Sequence, residues 1–457
     1  MVIRRWWTSV LALGVAVLLG LVGCSSAGSA SGDASELAGT GTVASGSIFD
    51  SSEAHEVIID VGQDDLTLML QTYMDSGDKD WVSATVTMDG TVFENVGIKL
   101  KGNSSLRGVT TESAPQDLPW RIKLDKYVSG ANLDGYTDFT VRANSTETSL
   151  NEAVALDLLG TAGLASEQAV ESSFSVNGSD AQLRLVVQNL DESWVADNFP
   201  DAGSDSVLYK AEADGSWSWL GSDADYSDSF DIEAGPDDYA PLVQLLDLVN
   251  NGTEEEIAAQ LPNLLDIDSF ATYLAFEELV NNSDDIDGPG NNSYLFWDST
   301  TQKFTVVAWD HNLAFGGSPG GMGGTSSGMP SGMPSGMRPS DMPSDWQSGG
   351  MPGGQGNGMP AGQMPSGMPS DMQSSGGAWG GGMPGGMGGN NPLVTAFEAN
   401  EEWTALKTQA ASDLQSALID SGALTSSLDR WVEVVKSSGL IDEATITSEA
   451  DQIRSYA

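Results

Sequence analysis

The stretch NNSDDIDGPGNNSYLFWDSTTQKFTVVAWDHNLAFGG, residues 281–317, is the part of the sequence from which the fold can be worked out. Two segments in it, NSYLFWD and KFTVVAWD, are rich in β-branched and aromatic residues and predict the strands of one hairpin. Asp287 and Asn292 lie where the first strand begins, and Asp310 ends the second. These side chains are therefore expected at the mouth of the hairpin. They would form a calcium loop, a solvated acidic turn or the metal site of a phosphotransferase.

The order of these residues matches the needs of phosphoryl transfer. That reaction uses oxygen donors for Mg²⁺, an aspartate that orients the acceptor hydroxyl, and a lysine at the phosphates. Protein kinases place a catalytic Asp five residues before a metal-binding Asn, and a second metal-binding Asp on the following hairpin. The sequence therefore predicts Asp287 as the catalytic aspartate and Asn292 and Asp310 as metal ligands. Asp284 and Asp285 are alternative bases, and a structural Ca²⁺ loop is the alternative for the whole stretch.

Basic residues are concentrated upstream, in VGIKLKGNSSLRG and PWRIKLDKY. The loop LKGNSSLRG joins two predicted strands, and its small residues would let backbone N–H groups approach phosphates. A surface turn is the alternative for this loop. Lys123 lies on the next strand, where a kinase has its phosphate-binding lysine, and Lys101 is the alternative. The predicted nucleotide-binding residues are Lys101, Gly102, Asn103, Ser104, Ser105 and Lys123.

Glu152 allows two interpretations. It lies in the first turn of the helix predicted by TSLNEAVALDLLGTAG. As the partner of Lys123 it would form the lysine–glutamate ion pair of a kinase, and we predict it as a catalytic residue on that basis. As the last residue of Ser149-x-x-Glu152 it would instead belong to a capping box with no catalytic role. The sequence leaves both open.

The rest of the chain predicts an α+β fold with a strand-rich first half and a helix-rich second half. Asp89-Gly90 and Asn177-Gly178 are strong hairpin signals between alternating strands. Residues 318–391 consist mainly of Gly, Met, Pro and Ser, so we predict a long disordered insert. The insert divides a domain over residues 48–317 from helices over residues 392–457 that complete it.

The N-terminus predicts export. Residues 1–23 combine an early basic pair with an apolar run, as in a signal peptide, and Leu21-Val22-Gly23-Cys24 looks like a bacterial lipobox. We therefore expect lipidation of Cys24, an extracytoplasmic protein anchored to the bacterial cell membrane, and a flexible tether over residues 24–47. The net charge of −47 argues against nucleic acid as a partner. With two histidines and one cysteine, any metal is expected to be a hard cation held by oxygen.

Five segments of the sequence, taken in combination and in order, resemble the motifs of CotH-type (spore coat protein H) kinases. They are VGIKLKGNSS, PWRIKLDKY, SLNEAVALDLLG, NNSDDIDGPGNNSYLFWD and VVAWDHNLAFGG. The resemblance implies an atypical protein-kinase-like fold and phosphorylation of Ser or Thr on a secreted or cell-surface protein, with ATP and Mg²⁺ as cofactors (Mn²⁺ or Ca²⁺ being possible). It matches Asp287 to the catalytic aspartate, and Asn292 and Asp310 to the metal ligands. Asn312 departs from the family pattern, which usually has Asp there. The alternative function is a non-catalytic kinase-like surface protein that binds calcium or a partner in envelope or matrix assembly.

Overall fold

The computed structural model describes residues 41–213, 215–288, 291–317 and 391–457. The predicted signal peptide, Cys24 and most of the tether lie outside these ranges, as does the predicted insert except for its last residue, Asn391. Within the described ranges no helix combines the length and the apolar character needed to cross a bilayer.

A closed seven-stranded barrel forms the first half of the described chain, with the strand order β2-β3-β4-β5-β7-β9-β8. Its strands alternate buried and exposed residues where one face meets solvent, as in the pattern of β2. The turns at Asp89-Gly90 and Asn177-Gly178 have positive φ at both residues, as a two-residue hairpin turn requires, so both predicted hairpins are confirmed. The strands are β2 His55–Val61, β3 Val82–Met88, β4 Thr91–Leu100, β5 Trp120–Lys123, β7 Asp138–Val141, β8 Ala169–Val176 and β9 Gln182–Gln188.

The barrel is filled by an apolar core that includes the fully buried side chains of Trp120, Phe93 and Phe139. Helix α1, Gln63–Ser76, lies against the barrel through Leu66, Met69 and Leu70, and Gly77 ends it in the left-handed conformation.

A short parallel pair, β1 Val43–Ala44 with β6 Asn132–Leu133, also lies in this half. Residues 43–44 therefore belong to a sheet, although the sequence assigns them to the tether. Two residues of strand carry too little alternation to be recognised from sequence.

The second half contains the four-stranded sheet β11-β10-β12-β13 and most of the helices, so the predicted α+β class is confirmed. The hairpin predicted by NSYLFWD and KFTVVAWD is β12–β13, with Leu295 opposite Val306. One core cluster joins this sheet to the helices and runs through the last helix, α10, so residues 392–457 pack with the rest of the domain. The strands are β10 Val207–Ala211, β11 Phe230–Ala234, β12 Ser293–Asp298 and β13 Lys303–Ala308. The helices are α2 Leu150–Thr161, α3 Glu192–Asn198, α4 Ala240–Asn251, α5 Glu254–Leu264, α6 Ile267–Leu279, α7 Pro392–Glu398, α8 Glu401–Leu414, α9 Ala423–Ser438 and α10 Glu443–Arg454.

Candidate active site

The β12–β13 hairpin brings Asn292 and Asp310 to the same end. Ser293 lies opposite Ala308 in the ladder, so Asn292 and Trp309 leave the two strands side by side and Asp310 follows directly. Asp310 has φ 63° and ψ 68°, a left-handed conformation that is sparsely populated by residues other than glycine. The strained residue lies where the chain turns from β13 into a short 3₁₀ helix, His311–Gly316.

Arg142 is the cation that faces Asp310. It follows β7, is buried, and places Nη1 3.5 Å from Asp310 Oδ1 and Nη2 2.5 Å from Glu152 Oε1. Its guanidinium also lies over the Trp309 ring, 4.6 Å from the centroid. Burial disfavours its charge, but Asp310, Glu152 and Glu167 together raise the pKa of Arg142 above its ordinary value. A permanently charged group therefore joins the α2 carboxylate to the hairpin aspartate.

Glu152 forms neither the predicted ion pair with Lys123 nor the predicted capping box. Ser149 has φ 51° and makes no side-chain capping bond, so there is no capping box at this helix. Lys123 lies opposite Asp138 in the β5–β7 ladder, and its Nζ is 3.5 Å from Asp138 Oδ2. Cross-strand pairing thus holds Lys123 beside Asp138, and Glu152 pairs with Arg142 instead. The predicted Lys123–Glu152 ion pair is wrong, because the cation beside α2 is Arg142, at the end of β7.

Lys101 approaches the same hairpin from the barrel. Its Nζ donates to Asn189 Oδ1 at 3.0 Å and lies 5.1 Å from the Trp309 ring centroid. Burial, reinforced by the positive charge of Arg121, lowers the pKa of Lys101 to about 7. Trp309 therefore lies within cation–π distance of two cations: Lys101, which follows β4, and Arg142, which follows β7. Arg142 was not singled out from the sequence.

The predicted phosphate loop follows Lys101. Gly102 has φ +90°, a backbone conformation that favours glycine. Asn103, Ser104 and Ser105 are exposed, and Asn103 Oδ1 accepts a 2.7 Å hydrogen bond from Lys79. Their backbone N–H groups donate to no backbone acceptor among the described residues. The loop thus retains free donors beside Lys101.

Asp287 lies in a compact turn. Its Oδ1 accepts from the Asn391 N–H at 2.8 Å, and its own N–H donates to Asp285 Oδ1 at 3.0 Å. Burial and the nearby Glu277 raise the pKa of Asp285 to about 6. Asp284, the third carboxylate of the turn, is a neighbour of Gly288, whose Cβ would lie 2.5 Å from Asp284 Cα. Asp284 and Asp285 therefore stay alternative candidates for the catalytic base.

The asparagines that follow the turn differ in their contacts. Asn291 donates through Nδ2 to the carbonyls of Glu212 and Gly215, at 3.1 and 3.2 Å, which fixes the turn against the end of β10. The side chain of Asn292 makes no hydrogen bond to another described residue, so its amide oxygen keeps its capacity to bind. Three or more His, Cys, Asp or Glu side chains do not gather in metal-binding geometry anywhere in the described ranges. A metal held here would therefore rely on amide oxygen and Asp310.

Buried charges lie behind Arg142. Both carboxylate oxygens of Glu167 and of Glu171 lack a hydrogen-bond partner among the described residues. Burial raises the pKa of Glu167 to about 7 and that of Glu171 well above its ordinary value. His311 Nε2 lies 3.1 Å from Glu277 Oε1; burial opposes its charge, but Glu277, Glu167 and Glu152 raise its pKa to about 9. Apolar neighbours in the sequence gave no sign that these glutamates would be buried together.

Asn312, where the family usually has Asp, acts here through its backbone. Its carbonyl accepts from Ser145 Oγ at 2.5 Å and from the side-chain amide of Asn151. These bonds tie the 3₁₀ helix to the first turn of α2, next to Glu152.

A family profile matches the part of the chain that contains the site. A profile of the family described as CotH kinase protein matches residues 98–345, just over half of the 457 residues. The matched range begins in β4 and includes Lys101, Arg142, Glu152, the Asp287 turn and the β12–β13 hairpin. A search of curated proteins found no match.

Proposed function

Because the chain belongs to the CotH kinase protein family, we propose that it transfers phosphate from ATP to Ser or Thr of a secreted or cell-surface protein, with Mg²⁺. The observation that carries the proposal is the convergence of Asn292, Asp310, Arg142 and Lys101 around Trp309 at one end of the β12–β13 hairpin. An atypical kinase-like arrangement, with a strand-rich half and a helix-rich half on either side of the site, is part of the proposal.

Asn292 and Asp310 are the residues we assign to the metal. Amide and carboxylate oxygens suit Mg²⁺, and Mn²⁺ or Ca²⁺ accept the same donors. The donors fit, because Asn292 has no competing side-chain bond among the described residues and Asp310 Oδ1 lacks a hydrogen bond apart from its 3.5 Å ion pair. When bound, Mg²⁺ would neutralise charge on the transferring phosphate.

The nucleotide phosphates would lie against Lys101 and the loop 102–105. We assign the phosphate-binding role to Lys101 rather than Lys123, since Lys101 contacts Trp309 next to Asp310 whereas Lys123 is paired with Asp138. An approaching phosphate would raise the pKa of Lys101 again and restore its full charge. Arg142 would hold Glu152 and the hairpin together as a kinase's lysine–glutamate pair does.

Asp287 would orient the acceptor hydroxyl and accept its proton. A base needs hydrogen-bond reach to that hydroxyl and a fixed carboxylate, and the Asn391 N–H fixes one of its oxygens. Asp285 remains the alternative base in the same turn.

The N-terminal sequence supports an extracytoplasmic location. We propose that residues 1–23 are removed, that Cys24 is lipidated, and that the tether holds the domain outside the bacterial membrane. No nucleic-acid partner is proposed, because the net charge of −47 would repel one.

Incubation with labelled ATP, Mg²⁺ or Mn²⁺ and generic acidic and basic proteins tests the proposal. We expect phosphotransfer by the native protein and its loss, by at least a hundredfold, in Asp287→Asn and Asp310→Asn. Asp60→Asn, an exposed change on β2, is the matched control. If Asp287→Asn stays active and Asp285→Asn does not, the base is Asp285. If calorimetry finds Ca²⁺ binding without nucleotide binding, the non-catalytic surface protein is the better description.

A further inference from the structure

Asn391, the first described residue after the 318–390 stretch, makes two hydrogen bonds to the Asp287 turn and a third that caps α7. Its backbone N–H donates to Asp287 Oδ1 at 2.8 Å, and its Nδ2 donates to the Ile286 carbonyl at 3.1 Å. Its Oδ1 accepts from the Leu393 N–H at 2.9 Å and caps α7. Asn391 itself is buried, with 8% of its surface exposed. One residue therefore caps a helix and bonds both the backbone and the carboxylate of the turn.

The turn depends on these bonds for its shape. Ile286 is fully buried and its N–H donates to the Tyr273 hydroxyl at 3.1 Å, while the Asp287 N–H donates to Asp285. These two bonds hold the N–H groups of the turn. Asn391 supplies the bonds to the Ile286 carbonyl and the Asp287 carboxylate, which those contacts leave unmade.

The described residues that precede this stretch follow Asp310 in the short 3₁₀ helix. The 3₁₀ helix that begins after Asp310 holds Phe315 by a 2.5 Å bond from its N–H to the Val280 carbonyl. Gln452 Nε2 of α10 donates to the Phe315 carbonyl at 3.0 Å. The chain thus departs next to the predicted metal ligand and returns at the predicted base.

We propose that Asn391 is a positioning residue for Asp287: its side-chain amide holds the Ile286 carbonyl, and this keeps its backbone N–H on one Asp287 oxygen so that the other oxygen can meet the acceptor hydroxyl. This inference rests on the proposed function. Its physical basis is that a base loses effectiveness steeply with misplacement, by up to about a hundredfold for 1 Å. Because Asn391 is the N-cap of α7, its N–H links this helix to the base by a hydrogen bond.

Two substitutions separate capping from positioning. Asn391→Ser retains an oxygen that can cap α7, but it lacks the amide that reaches Ile286. Asn391→Ala removes both. Asn400→Ala is the matched control, because Asn400 caps α8 by accepting from Glu402 and Trp403 N–H groups and has no contact with the turn.

We expect Asn391→Ser to have near-native stability but a kcat lowered by tenfold to a hundredfold, with the KM for ATP within about twofold of native. Asn391→Ala should show the same loss of kcat and lower stability, and Asn400→Ala only the lower stability. A kcat in both Asn391 variants within twofold of native, with Asp287→Asn inactive, overturns the positioning role and leaves the proposed function standing. Full activity of Asp287→Asn overturns both.

A second measurement does not depend on turnover. Hydrogen exchange of the Ile286 and Asp287 amides should be at least tenfold faster in Asn391→Ser than in the native protein, and unchanged in Asn400→Ala. Equal exchange in native protein and Asn391→Ser shows that Asn391 does not hold the turn, and it overturns the inference whether or not an acceptor protein has been found.

Discussion

Replacing Glu167 by glutamine tests the buried charges behind Arg142. Glu167 is 3% exposed, and neither of its carboxylate oxygens has a hydrogen-bond partner among the described residues. Burial raises its pKa from 4.5 to about 7, against the opposing effect of His311 and Arg142. Glutamine has nearly the same shape and cannot ionise, so the substitution removes the titration while preserving the packing.

The magnitude follows from linkage. The folded-state pKa of Glu167 lies above the unfolded value, so its contribution to stability is fully present below pH 4.5 and is lost as the pH rises through about 7. Each pKa unit corresponds to about 1.4 kcal/mol, so the loss amounts to about 3 kcal/mol by pH 8. Relative to the native protein, Glu167→Gln should therefore gain about 3 kcal/mol in unfolding free energy between low pH and pH 8.

Urea unfolding at intervals from pH 5 to pH 8 measures this difference, since most of the change falls in that interval. His311, whose pKa is raised from 6.5 to about 9, also contributes to the pH dependence above pH 6.5, so the comparison with the native curve at each pH is the measured quantity. Glu94→Gln, an exposed change on β4, should run parallel to the native curve. If the curve of Glu167→Gln also runs parallel to the native curve, the pKa of Glu167 is the same in the folded and unfolded states. The cluster is then not desolvated as described above.

Two further predictions follow. Arg142→Met should lower the unfolding free energy by about 3–5 kcal/mol in urea titrations, because it leaves the buried Glu152 carboxylate without its cation. The same change at the half-exposed Arg430, paired with Asp157, should cost no more than about 1 kcal/mol, and equal losses would contradict the assigned burial of Arg142. Cys24→Ser should release the protein from the membrane fraction into the medium, as judged by immunoblot of cell fractions; retention in the membrane would exclude anchoring through Cys24.

Features fixed by neighbouring residues could be predicted from the sequence. A two-residue hairpin turn requires left-handed backbone at both central residues, and Asn-Gly and Asp-Gly pairs tolerate it best, so Asp89-Gly90 and Asn177-Gly178 could be placed correctly. The β12–β13 hairpin was equally local, and with it came the common position of Asn292 and Asp310. These predictions needed no knowledge of distant contacts.

The partner of Glu152 could not be predicted in this way. The pattern Ser149-x-x-Glu152 describes a cap only if Ser149 has extended backbone, and Ser149 is left-handed with no capping bond. Which cation faces Glu152 depends on how α2 packs against the end of β7, a tertiary arrangement with no local signature. A single arginine between a strand and the following helix was the available signal, and it is a weak one.

The two partners of Arg142 are unequal, and the inequality bears on the metal assignment. Nη2 is 2.5 Å from Glu152, whose side chain is 2% exposed, whereas Nη1 is 3.5 Å from Asp310, whose side chain is 23% exposed. The short, buried pair satisfies the charge of Arg142 by itself, since a cation loses most when no carboxylate remains beside it. Asp310 can therefore turn its carboxylate toward a divalent cation without leaving Arg142 unpaired. Its left-handed backbone already directs the chain away from the hairpin at that residue. Of the two carboxylates that Arg142 contacts, we therefore propose Asp310 as the metal ligand and Glu152 as the one that holds the arginine.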